Sequence, residues 1–103
     1  MLPVKYSGPE LFVSFEGFVG RNELIELAEE RAAYWRGRGP RIDAITVHTQ
    51  WQCQPSGDSR FAVCVTAESE AVAFMAHHSG PTAECAVAAA FGQLERTFRQ
   101  TIR

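Results

Sequence analysis

Residues 82–102 read TAECAVAAAFGQLERTFRQTI. Ala83, Val87, Phe91, Leu94, Phe98 and Ile102 recur every three or four positions, which places them on one side of a 3.6-residue helix. That side has to be buried against another layer. Arg96 and Arg99 lie near the end of this helix and Arg103 just beyond it, so one element carries both the longest apolar stripe and a concentration of positive charge.

The layer that receives the stripe is read from the rest of the chain. Residues 1–10, with Pro3, Gly8 and Pro9, form an irregular lead-in. Leu11 to Glu16 alternate as a strand, and Gly17 and Gly20 bracket a turn. Asn22 is positioned to cap a helix whose first turns hold Glu23 and Glu26, where negative charge complements the dipole. Leu24, Leu27, Ala28, Ala32 and Trp35 form its apolar stripe, and it runs to about Arg36, where Gly37, Gly39 and Pro40 stop it. Ala28, Ala32 and Ala33 suit close packing on a sheet.

Ile42 to Gln52 alternate as a second strand, with Ile45, Val47, Thr49 and Trp51 on one face. After the loop Gln54–Ser59, residues Arg60 to Glu68 alternate again. Pairing Trp51 with Phe61 also pairs Thr49 with Val63 and Val47 with Val65, so both apolar faces coincide and Trp51 is expected to be buried. A fourth strand is expected over Ala71 to His77, with Val72 and Phe74 toward the core. Residues His78 to Pro81 then lead to the final helix, capped by Ser79 or Thr82.

This β-α-β-β-β-α order predicts an α+β fold of two layers, a four-stranded sheet with both helices on one face. The first connection is a crossover between parallel strands and the last three strands form an antiparallel meander. The two helices then run in the same direction, with their C-terminal ends at one pole. At 103 residues the expectation is one domain, 1–103.

With 46% hydrophobic and 21% charged residues, the composition is that of an ordinary globular protein. A net charge of −2 does not mark a nucleic-acid binder by itself. Charge placement is more informative. Arg36, Arg38 and Arg41 follow the first helix and Arg96, Arg99 and Arg103 end the second, so six of the ten basic residues are expected at one pole. Arginine suits bidentate contact with phosphate. Cations at helix C-termini also complement the dipole by about 0.3–1 kcal/mol each and need no ligand for that.

The element order, together with Ala86-Val87, Ala90-Phe91, Leu94-Glu95-Arg96 and Phe98 in the final helix, resembles the ribosome hibernation-promoting factor and ribosome-associated translation inhibitor family. Ala86 and Val87 stand for that family's Ala-Ile pair, and Leu94 and Phe98 for the two leucines of its helix ending. The sequence departs from the pattern at Thr82, Glu84 and Gln93. The resemblance spans about Phe12 to Gln100. It implies a non-catalytic factor that binds the small ribosomal subunit, in the channel used by messenger and transfer RNA, and inhibits translation or promotes hibernation. Arg36, Arg38, Arg41, Arg96, Arg99 and Arg103 would approach rRNA phosphates. The alternative is a protein-interaction module of the same fold that has lost ribosome binding, its arginines serving helix stability.

His48, Cys64, His77 and His78 are the residues that suggest a metal site, with His48 and Cys64 expected opposite each other on the sheet face away from the helices. Two ligands do not close a site and paired zinc-ligand spacings are absent, so no metal site is expected. Cys85, in the first turn of the final helix with His77 or His78 one loop before it, could form a nucleophilic pair, although a small buried residue is the preferred reading. Cys53, Cys64 and Cys85 are odd in number and irregularly spaced, which fits reduced thiols. No signal-peptide run or membrane span is legible. The expectations are therefore a cytoplasmic protein, no enzyme activity, no cofactor, no membrane partner and no small-molecule substrate.

Overall fold

The computed structural model describes residues 10–33, 42–69 and 73–101. Its elements are β1 (Glu10–Glu16), α1 (Asn22–Ala33), β2 (Ala44–Cys53), β3 (Ser59–Glu68), β4 (Ala73–Gly80) and α2 (Ala83–Thr101). They form the expected α+β arrangement, with strand order β1-β2-β3-β4. β1 is parallel to β2, and β2, β3 and β4 are successively antiparallel. The β2–β3 register pairs Trp51 with Phe61, Thr49 with Val63 and Val47 with Val65, as the coincidence of apolar faces predicts.

Both helices pack on one side of the sheet, α2 against β4, β3 and β2, and α1 against α2 and β1. Phe91, Leu94, Val87, Ala83, Ala86 and Ala90 of α2 meet Ile45, Val47, Val63, Val65, Phe74 and Ala76 in the core. Each large apolar side chain buried there contributes about 1.5–3 kcal/mol. Leu24, Ala28 and Ala32 bury the inner face of α1, whereas Ala33, expected to join them, is exposed at the helix end. Trp35, Val72, Ile102 and the side chain of Phe98, also assigned to the apolar stripes, lie outside the described residues.

Several boundaries differ from the sequence reading. Glu10 opens β1, its N–H bonded to the Asp43 carbonyl, rather than closing the lead-in. β4 extends to Gly80, because Phe61, Ala62 and Val63 supply pairing partners for Gly80, Ser79 and His78. Ser79 is thus a strand residue, and Thr82 caps α2: its Oγ1 accepts from the Cys85 N–H at 3.2 Å and its carbonyl from the Ala86 N–H at 3.2 Å. For α1 the capping position is Arg21, whose carbonyl accepts from the Leu24 N–H at 3.0 Å, and Asn22 is already helical.

The β1–α1 turn depends on its glycines. Gly17 has φ +84°, and a Cβ on Gly20 would stand 2.1 Å from the Phe15 ring. That approach lets Phe15 meet Phe18 edge-on at 5.4 Å, and Phe18 meet Phe61 in the same way at 5.1 Å. This aromatic chain closes the end of the core where both helices begin.

Candidate functional site

The helix layer sets the charge distribution. Arg21, immediately before α1, forms an ion pair with Glu84 in the first turn of α2. The pair ties the two helix N-termini together, so α1 and α2 run side by side in the same direction and their C-termini share the other pole. Both side chains are solvent-exposed, so the pair contributes at most about 1 kcal/mol and acts mainly as a geometric marker.

At the C-terminal pole, Arg96 and Arg99 are exposed on α2. Their three-residue separation puts them on neighbouring positions of one helix surface. The Arg96 guanidinium lies back along the helix, its Nη1 3.7 Å from where a Cβ on Gly92 would be. Arg36, Arg38, Arg41 and Arg103, the other four arginines assigned to this pole, lie outside the described residues.

Arg31 was missed by the sequence reading. It stands in the last described turn of α1, where the shared helix direction brings it to the same pole; the expected continuation of α1 to Arg36 lies outside the described residues. Glu29 and Glu30 are exposed beside it, so the described end of α1 carries mixed charge. Glu95 follows a different pattern, since its Oε1 is buried and has no hydrogen-bond partner among the described residues.

The opposite face of the sheet is open. Ser14, His48, Cys64 and His77 fall in one row across all four strands. Ser14 Oγ and His48 Nδ1 are hydrogen-bonded at 2.7 Å, and Cys64 Sγ lies 3.7 Å from His77 Nε2. The expected His48–Cys64 pairing is therefore present. Among the described residues no three His, Cys, Asp or Glu side chains converge as a metal site.

Cys85 is exposed rather than buried, because its place in the first turn faces away from the core that Ala83 and Ala86 enter. His77 lies on the open sheet face, across the sheet from α2, so the Cys85–His77 form of the pair considered from sequence is not assembled, whereas His78, paired with Val63, alternates to the other face of β4. Trp51 is 37% exposed, contrary to its expected burial. It lies two residues beyond Thr49, the last fully buried position of β2, between Phe61 on β3 and the Gly17 turn, where a Cβ would come within 3.5 Å of the Trp51 Cβ. Phe12, on the open face of β1, is 53% exposed. No helix among the described residues is long and apolar enough to cross a membrane.

No family model matches the sequence. No curated protein matches it either. In three dimensions the chain is similar to the solved structure of a ribosomal subunit interface protein from Coxiella burnetii, with a TM-score of 0.72 and 15% sequence identity, over 89% of this chain and 96% of that one. At such low identity the likeness shows a shared fold: four strands and two helices in the order β-α-β-β-β-α, matched over nearly the whole of both chains.

Proposed function

We propose that this chain is a ribosome-binding factor of the small subunit that inhibits translation or promotes ribosome hibernation, without catalysis, through arginine contacts to rRNA phosphates. The observation that supports the reading most is the near-complete fold likeness to a ribosomal subunit interface protein. Charge placement supports it independently, because the shared direction of the helices gathers Arg31, Arg96 and Arg99 at one pole. Arg36, Arg38, Arg41 and Arg103 are assigned the same role from their sequence positions. Arginine forks are suited to phosphate oxygens, and each phosphate neutralised releases counterions, so binding weakens with salt by a slope of about 0.7–0.9 per contact.

A second reading, a protein-interaction module of the same fold, is favoured by the exposure of Trp51 and Phe12. Exposed aromatic side chains are common anchors in protein interfaces. Co-sedimentation with purified small ribosomal subunits separates the two. The first reading expects saturable, salt-sensitive binding, and expects Arg96→Glu with Arg99→Glu to weaken it and to flatten the salt slope by about 1.4–1.8. Absence of binding at low salt would overturn it in favour of the second. Unchanged binding in a folded double variant would remove these arginines from the mechanism.

A further inference from the structure

On the open sheet face, two soft sulfur donors lie beside one imidazole nitrogen. His77 Nε2 lies 3.1 Å from Met75 Sδ and 3.7 Å from Cys64 Sγ. Met75 and His77 are alternate residues of β4 and therefore share a face, and Cys64 is directly opposite His77 on β3. The pleat thus fixes all three on one side of the sheet, away from the helices and their arginines.

An imidazole nitrogen carries either one proton or one lone pair, so Nε2 can make one strong hydrogen bond and cannot serve both sulfurs well. A metal ion bonded to all three atoms removes that conflict. With metal–nitrogen and metal–sulfur bonds of about 2.0 and 2.3 Å, the 3.7 Å separation corresponds to a bond angle of roughly 120°. The 3.1 Å separation gives roughly 90°, and a small rotamer adjustment of the flexible Met75 side chain opens it. Met75 is free to make that adjustment, since it is 59% exposed and packs in no part of the core.

The donor set determines which metal. Zinc takes thiolate, imidazole and carboxylate ligands, usually four, and no carboxylate joins this group. Thiolate and thioether sulfur select monovalent copper. Thr66 Oγ1, 3.9 Å from Cys64 Sγ, stands where a hydroxyl can support a thiolate from the second shell. We propose that Cys64, Met75 and His77 form a three-coordinate binding site for monovalent copper, Cys64 binding as thiolate and releasing its proton to water.

The test is an anaerobic titration of the full chain with Cu(I) against a chromophoric Cu(I) chelator, repeated with Ag(I) as a redox-inert probe. Cys53→Ser with Cys85→Ser is used as host, because those two exposed thiols would bind soft metals on their own account. The proposal expects a 1:1 complex, displacement of the Met75 methyl resonance on adding Ag(I), at least tenfold weaker binding in Met75→Leu and in His77→Gln, and loss of the complex in Cys64→Ser. Met75 is exposed, so Met75→Leu reports on the site even if Cys64→Ser fails to fold. Failure to form a 1:1 complex, tighter binding of Zn(II) than of Cu(I), or affinities unchanged by Met75→Leu and His77→Gln would each overturn it. The measurement involves no ribosome, so its outcome is independent of the function proposed above.

Discussion

Thr49 offers the most direct test of how the core is built. It lies on the helix-facing side of β2, is 0% exposed, and its Oγ1 has no hydrogen-bond partner among the described residues. A buried hydroxyl without a partner forfeits its hydration at a cost of about 1–3 kcal/mol. Thr49→Val keeps the β-branched shape between Phe15 and Val63, its register partners on β1 and β3, and replaces the hydroxyl with a methyl group. The variant is expected to be more stable by about 1–2 kcal/mol. For a domain of this size each kcal/mol shifts Tm by roughly 4–8 °C, so a rise of at least about 4 °C should be read by calorimetry. Urea unfolding should show a higher midpoint with an unchanged slope. A variant destabilised by about 1 kcal/mol or more would refute the reasoning, because it would mean that the hydroxyl is satisfied in solution and that the core under α2 has a polar component.

Two glycine substitutions should act in opposite directions, each followed by the same unfolding assays. Gly20→Ala places a methyl group 2.1 Å from the Phe15 ring and must break the Phe15–Phe18–Phe61 chain, with an expected loss of about 1–3 kcal/mol. Gly92→Ala, within α2, meets only the Arg96 guanidinium at 3.7 Å and should stabilise by about 0.5–1 kcal/mol through helix propensity.

The fold was legible where two independent patterns had to agree. The β2–β3 register followed from making two alternations coincide, and a slip of one residue would have turned Val63 and Val65 outward. The last helix was legible because six stripe positions kept one period. Elements whose limits depend on a neighbour were read less well. His78, Ser79 and Gly80 have loop-like composition, yet β3 is long enough to pair with them, and tertiary pairing overrides local propensity. Asn22 is the better capping residue by type, but the chain enters the helix one position earlier. Trp51 belongs to the apolar face by alternation, and only the positions where α1 and α2 begin show that cover ends before it. Of the proposed copper ligands, Cys64 and His77 were already metal candidates in the sequence, whereas their meeting with Met75 required the facing and register of β4.

Net charge is a poor guide to what this helix layer can bind. Glu84 and Arg96 are twelve residues apart on α2, about 18 Å at 1.5 Å per residue. That is more than twice the Debye length of about 8 Å at physiological ionic strength, so the acidic end is felt at the basic end at only about a tenth of its unscreened strength. The local balance decides the interaction instead. On α2 one carboxylate oxygen of Glu95 is buried, while Arg96 and Arg99 are exposed. On α1 the exposed Glu29 and Glu30 offset Arg31. Among the described residues, a phosphate approaching this pole therefore meets its strongest attraction from α2. Under the proposed function the first helix contributes to the extent that Arg36, Arg38 and Arg41 outweigh those two glutamates. Among the described residues the two helices are thus not equivalent, with α2 carrying the less compensated positive charge.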